Sequence, residues 1–218
     1  MALSQEPSIS KVVVVDERSA GFVALGISQS TQSAVLVVCT SGTALLNFAP
    51  AVAEAYYQQL PLIVVSADRP KEWIDQNDSQ TLRQFGVFEN FVKKSFDISS
   101  QISSDSDSWY VNRVLNEAYN LAVEDAQGPV HINMHVSEPI YKMEPCEDSG
   151  LVLIDKVSAT SGLRNDVVQE LRQIIASKKK VMVFCGMMPE NENLQSHLVK
   201  LSDLDNVVVL AEHLSNIV

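Results

Sequence analysis

The sequence predicts an α/β fold: a parallel sheet flanked by helices, followed by the start of a second, smaller α/β unit. Three observations carry that prediction. Runs rich in β-branched residues recur as KVVVVD, AVLVVCT and LPLIVVSAD. Runs with helical apolar spacing stand between them, which is the pattern of successive βαβ units. Polar residues gather directly after each strand-like run, at the edge where ligands collect in open parallel sheets.

In chain order, Val12–Val15 reads as a core strand buried on both faces, because β-branched residues follow one another without a polar break. It ends in Asp16, Glu17 and Arg18. By spacing alone, Asp16 and Ser19 cap the next helix, SAGFVALGISQ, and Arg18 is solvated. AVLVVCT is the next strand, and Thr40, Ser41, Gly42 and Thr43 form a tight turn into the helix ALLNFAPAVAEAYYQQ. LPLIVVSAD is a strand that opens into the polar loop RPKEWIDQNDSQT. A short helix over LRQFGVFENFV, a strand over KKSFDIS and a capped helix over WYVNRVLNEAYNLAVEDA follow. GPVHINMHVSEP alternates, with Val130, Ile132, Met134 and Val136 on one face and His131, Asn133 and His135 on the other. With no further ligand-type residues at suitable spacing, the histidines read as a hydrogen-bonded strand face rather than a metal site. Two prolines and a glycine in EPIYKMEPCEDSG mark a linker, beyond which helix, strand, helix and strand alternate to the last residue. The expected division is a first domain over 1–142 lacking its opening strand, a linker over 143–150, and a truncated second domain over 151–218.

The 218 residues are 46% hydrophobic, enough for a generous core, and carry a net charge of -11. That charge leaves no basic stripe for a nucleic acid and opposes docking on an anionic membrane, so an anionic substrate requires its own local arginine or lysine. Cys39, Cys146 and Cys185 are too dispersed for a disulfide framework and fit a reducing cytoplasm. The opening MALSQEPSIS has neither the basic nor the apolar region of a signal peptide, and no apolar run approaches the ~20 residues of a membrane span.

Three polar stretches, DER, CTSGTALLN and SADRP, are therefore the candidate walls of a site. Small side chains and backbone amides from Thr40 to Thr43 suit a flat ligand, and the absence of a lysine after Gly42 excludes a Walker loop. Arg69, at a strand end with Gln80, Arg83 and Gln84 in the following loop, offers a guanidinium fork to a carboxylate.

Five ordered stretches, VDERSAGFVALG, CTSGTALLNFAPAVAEA, SADRPKEW, QTLRQFGVF and GPVHIN with SEPIY, resemble the amino-terminal domain of the 2-succinyl-5-enolpyruvyl-6-hydroxy-3-cyclohexene-1-carboxylate synthase family. These are thiamine-diphosphate-dependent transferases of menaquinone biosynthesis. The resemblance implies the pyrimidine-binding domain of the thiamine-diphosphate fold. Glu17 is then catalytic: it shares a proton with pyrimidine N1′ and favours the imino tautomer that removes the thiazolium C2 proton. Thr40, Ser41, Gly42 and Thr43 lie against the pyrimidine, and Arg69 and Gln80 bind substrate carboxylates. The implied cofactors are thiamine diphosphate and Mg2+, with the metal ligands in a carboxyl-terminal domain. The implied substrates are 2-oxoglutarate, which is decarboxylated, and isochorismate, to which the resulting succinyl-semialdehyde carbanion adds. A homo-oligomer with sites at subunit interfaces is expected as well.

The sequence also departs from the family pattern. The opening strand and its Pro-Gly-Ser-Arg loop would precede Met1, no Gly-Asp-Gly magnesium signature occurs, and Ser79 stands where some relatives carry asparagine. The chain alone is accordingly expected to be inactive. Two other readings stay open: a carboligase or decarboxylase of the acetolactate synthase type, and a non-catalytic α/β assembly module. Gly42, Thr43 and Ala44, where the acetolactate synthase and oxalyl-CoA decarboxylase branches carry Gly-Pro-Gly, favour the menaquinone branch.

Overall fold

The computed structural model describes residues 6–124, 126–137, 151–157 and 162–217. The chain divides into two compact units, Met1–Val157 and Ser158–Val218.

In the first unit, β1 (Val35–Cys39), β2 (Leu62–Asp68), β3 (Ser95–Ser99) and β4 (Val130–His135) form an all-parallel sheet in the order β1-β2-β4-β3. Side chains alternate between the two faces of each strand, so this sheet has two cores. Val37, Leu62 and Val64 pack with Leu45, Phe48 and Val52 beneath α1 (Glu17–Thr31) and α2 (Ala49–Tyr57). Ile63, Val65, Phe96, Ile98 and Ile132 pack on the other face with Val114 and Ala118 of α3 (Asp105–Val123). Each large apolar side chain so buried contributes roughly 1.5–3 kcal/mol before entropy is counted. Helices α1 and α2 approach closely at Gly21, where a Cβ would lie 2.9 Å from that of Ala51.

Local chemistry sets the element ends. Asp16 caps α1 by accepting from the Ser19 amide at 2.8 Å, and Ser104 caps α3 by accepting from Asp107 N at 3.2 Å. The expected helix over ALLNFAPAVAEAYYQQ is split into a 3-10 turn, Gly42–Phe48, and α2, because Pro50 in the first turn of α2 supplies no amide for a continuous ladder.

Two expectations are corrected. Val12–Val15 is not a strand: Val12, Val13 and Val15 are 70%, 93% and 97% exposed, and no described segment pairs with them. Four valines favour extended backbone, but a strand exists only where a neighbour completes its hydrogen bonds. LRQFGVFENFV is not a helix but a series of turns with one 3-10 turn, Glu89–Phe91. Gly86 at φ +77° breaks the helical path, while Phe88 and Val92 drop separately into the core under α1 and α2.

Residues 151–157 run along α3. Asn112 and Asn116 each donate from Nδ2 to the Val152 carbonyl, at 3.1 and 3.0 Å, and Asn120 donates to that of Ile154 at 2.8 Å. Asparagines four residues apart stand on one face of a helix, so they form a row of hydrogen-bonding groups for an extended backbone. The predicted linker 143–150, with Cys146, lies outside the described residues.

The second unit consists of α4 (Asn165–Ser177), β5 (Val181–Cys185), α5 (Glu192–Ser202) and β6 (Val207–Ala211). β5 and β6 pair in parallel with Val183 opposite Val209, and Cys185 and Leu198 are buried. Among the described residues, no helix is long and apolar enough to cross a membrane.

Candidate functional site

Glu17 is the first residue of α1, directly after its capping Asp16, and is half-buried. Its carboxylate acts on Cys39 at the carboxyl end of β1. Burial, with that negative charge added, pushes the Cys39 thiol up to about 12, so Cys39 is a neutral thiol at physiological pH and not a nucleophile. The Asp16 cap and the exposed Arg18 match the spacing-based reading, whereas Glu17 is half-buried and acts electrostatically on Cys39.

The chain continues from Cys39 into the predicted turn. Thr40 and Thr43 are exposed, and Ser41 and Gly42 are buried. Gly42 adopts φ +85°, and a Cβ on it would lie 3.2 Å from both Cα and O of Gln80. Gln80 itself has φ +55°. Arg69, the residue after β2, donates from Nε to the carbonyl of Ser79 at 3.4 Å and lies 3.5 Å from Oδ2 of Asp78. Asp68 accepts from the backbone amide of Arg69 at 2.8 Å. Arg69, Gln80 and Gly42 thus form one wall, and Glu17 with Cys39 and Thr40 adjoins it through the chain. Around Glu17 the surface presents a half-buried carboxylate and the exposed Thr40 and Thr43, while Gly42 lies beneath it.

One feature of the turn differs from expectation. The Gly42 amide, anticipated as a ligand contact, donates to Oε1 of Gln84 at 2.6 Å in a buried hydrogen bond. Gln84 is fully buried and also donates from Nε2 to the carbonyl of Ala67 at 2.9 Å and to Oδ1 of Asn133 at 3.0 Å. Asn133 donates in turn to Oδ2 of Asp68 at 2.8 Å and to Oδ1 of Asp97 at 3.0 Å. His135 links the Arg69 carbonyl, 2.6 Å from Nδ1, to Asp97, 2.8 Å from Nε2. Burial pushes the Asp97 carboxyl up, but hydrogen bonds from Lys71 and Asn133 and the charges of His135 and Lys71 outweigh it and hold it below the ordinary carboxylate range. Ser66 donates to Asn133 Oδ1 at 2.9 Å and lies 2.8 Å from Nε2 of His131.

This buried network beneath the wall is what sequence reasoning missed as a unit. A signal was present: Ser66, Asp68, Asp97, His131, Asn133 and His135 are polar residues at alternate positions of apolar strands. The register places both Ser66 and Asp97 opposite Asn133.

A cleft of about 340 Å³ opens elsewhere, at the carboxyl ends of β3 and β4, lined by Pro70, Lys71, Asp97, Tyr110 and His135 among others. None of Glu17, Thr40, Ser41, Gly42, Thr43, Arg69 or Gln80 lines it. Its cation, Lys71, is paired with Asp97. Among the described residues, no three histidine, cysteine, aspartate or glutamate side chains form a group able to hold a metal ion.

Residues 1–87 match the family model described as thiamine pyrophosphate enzyme, N-terminal TPP binding domain. The chain is 42% identical over 216 residues to a 2-succinyl-5-enolpyruvyl-6-hydroxy-3-cyclohexene-1-carboxylate synthase from Porphyromonas gingivalis, covering 99% of this chain and 37% of that protein. The synthase of the same name from Desulfotalea psychrophila is 38% identical over 218 residues, covering 100% of this chain and 41% of that protein. The one from Bacteroides fragilis strain ATCC 25285 is 53% identical over 140 residues, 64% of this chain and 25% of that protein. The chain therefore spans well under half the length of these relatives. A crystal structure of an enzyme from Mycobacterium smegmatis, assigned as thiamin diphosphate-dependent, superposes with a TM-score of 0.73 over 96% of this chain and 38% of its own, at 18% identity. That last likeness carries the fold alone.

Proposed function

The chain is homologous to the amino-terminal part of the 2-succinyl-5-enolpyruvyl-6-hydroxy-3-cyclohexene-1-carboxylate synthases, and from that premise we propose that it is the pyrimidine-binding portion of a thiamine-diphosphate-dependent transferase. The observation that carries the proposal is the half-buried Glu17 carboxylate beside the carboxyl end of β1, next to a turn whose glycine has no room for a side chain.

In this reading, residues 1–142 form the cofactor-binding domain, the stretch 151–157 still packs along its α3, and the second domain begins beyond it. Glu17 shares its proton with pyrimidine N1′. The Thr40–Thr43 turn sets the ring's position, with hydroxyls on its exposed side. Arg69 and Gln80 meet the carboxylates of the substrates, a role that suits a guanidinium fork held at a strand end. Thiamine diphosphate, when bound, would supply a stabilised carbanion equivalent at C2. Decarboxylation of 2-oxoglutarate and addition of the succinyl-semialdehyde unit to isochorismate form the proposed reaction. Magnesium, held by residues beyond those described, belongs to the proposal as the partner of the diphosphate. So does a homo-oligomer, which agrees with the exposed Phe22, Val23 and Ile27 on α1 just beyond Glu17. A cytoplasmic location agrees with the free, buried thiols of Cys39 and Cys185.

The test is product formation by the protein that carries this chain, supplied with thiamine diphosphate, Mg2+, 2-oxoglutarate and isochorismate and followed by mass spectrometry. Release of carbon dioxide with a succinylated cyclohexene product supports the reading. A product that requires pyruvate instead would move the protein to the acetolactate synthase type.

A further inference from the structure

The chemistry proposed above makes no use of Gln84, although its side chain joins three separate elements. Oε1 accepts from Gly42 N in the turn after β1 at 2.6 Å, and Nε2 donates to Ala67 O of β2 at 2.9 Å and to Asn133 Oδ1 of β4 at 3.0 Å. The side chain is fully buried. Its amide has one orientation: the Gly42 N–H can only donate and the Ala67 carbonyl can only accept, so a flip would set like groups against each other at both ends. A main-chain amide held at 2.6 Å by a group anchored twice elsewhere cannot drift without breaking the whole set.

Gln84 also lies four residues after Gln80, whose backbone covers Gly42 at what would be 3.2 Å from a Cβ. The same amide therefore fixes both sides of that contact: the turn by a hydrogen bond, and the Gln80 loop by its own attachment to β2 and β4. We infer that Gln84 is a positioning residue that sets the spacing between the Ser41–Thr43 turn and Gln80, and so shapes the wall against which the cofactor ring binds. The inference rests on the thiamine diphosphate reading for the identity of that ring, but not for the mechanics of the turn.

The experiment is a double-mutant cycle in the protein that carries this chain, with Kd for thiamine diphosphate measured calorimetrically in the presence of Mg2+. Gln84→Met keeps the bulk and removes the acceptor and the donors, and is expected to weaken binding ~10-fold. Gly42→Ala displaces the same turn by a different route. If Gln84 acts through the turn, adding Gln84→Met to Gly42→Ala costs no more than a further ~2-fold. Losses that simply multiply, or a Kd unchanged by Gln84→Met, would overturn the inference. Should Gln84→Met fail to fold, Gln84→Asn carries the same cycle, since it keeps the amide but is one methylene too short to reach Gly42, Ala67 and Asn133 together. Should the unmutated protein bind no thiamine diphosphate, the cofactor reading fails, and hydrogen exchange at the Gly42 amide decides the positioning role alone. Exchange at least ~10-fold faster in the Gln84 variant supports it, and unchanged exchange overturns it.

Discussion

Gly42 packs its α-carbon against the backbone of Gln80 so tightly that a Cβ would lie 3.2 Å from both the Cα and the carbonyl oxygen of that residue. The two positions are thirty-eight residues apart in the sequence. Both have positive φ, +85° and +55°, which glycine adopts freely and glutamine does not, so the contact sets a glycine turn against a strained Gln80 at the carboxyl edge of the sheet.

Gly42→Ala is therefore expected to destabilise the protein by about 2–4 kcal/mol, from the left-handed backbone and from the contact with main-chain atoms that cannot swing aside. Urea denaturation checks it: the midpoint should fall with an unchanged slope. Stability equal to the parent would show that the Gln80 loop yields freely.

The order of strands and helices was legible because burial imposes period-two and period-3.6 patterns, and AVLVVCT, LPLIVVSAD and GPVHINMHV keep theirs. Val12–Val15 has the same composition but lacks a pairing neighbour among the described residues, and hydrogen-bond partners are not written in a local pattern. Glu17, Gly42 and Arg69 stood out as polar or small residues just after strand-like runs and Gln80 in the loop after Arg69, and the structure brings the last three into contact through the Gln80 loop. Gln84 was not assigned a structural part, because its three partners lie 42, 17 and 49 residues away and only the folded chain brings them together. The hydrogen-bonded face of His131, Asn133 and His135 was legible from alternation, but its partners Ser66, Asp68, Gln84 and Asp97 were not, because they lie on other elements.

Glu17→Gln keeps the shape of the helix start and removes a group able to take a proton. In the protein that carries this chain, exchange of the C2 proton of bound thiamine diphosphate should slow by at least ~10²-fold, with cofactor affinity changed much less. Proton exchange followed by quenched-flow NMR makes the comparison. A rate equal to that of the parent would remove Glu17 from its assigned role.

Arg69→Ala separates substrate binding from cofactor binding. Arg69 reaches Ser79 O at 3.4 Å and Asp78 at 3.5 Å, so it also steadies the loop that carries Gln80. Loss of a carboxylate contact should lower kcat/KM for 2-oxoglutarate by roughly 2–4 kcal/mol in transition-state terms, while Kd for thiamine diphosphate stays nearly constant. Equal losses in both would assign Arg69 to the loop alone.

His131 makes the fold sensitive to acid, and the reason lies in its two nitrogens. Ser66 donates its hydroxyl proton to Asn133, so its oxygen accepts from His131 Nε2–H at 2.8 Å, which leaves Nδ1 as the bare nitrogen of a neutral ring. That Nδ1 is buried without a hydrogen-bond partner, and the ring lies edge-on to Phe88 with centroids 5.4 Å apart. Protonation would place an N–H and a charge where nothing accepts either one. Burial therefore lowers the His131 pKa from 6.5 to about 4, against a small upward pull from Asp97. The sign follows from linkage: between these values the unfolded chain binds a proton that the folded chain refuses, so stability is full above pH 6.5 and drains away as the pH falls toward 4. A shift of this size is worth about 3 kcal/mol. Thermal unfolding between pH 7.5 and pH 4.5 should show a falling Tm in the parent protein. His131→Gln, which offers a donor to Ser66 and cannot be protonated, should flatten that decline; an equally steep fall in the variant would place the acid sensitivity elsewhere.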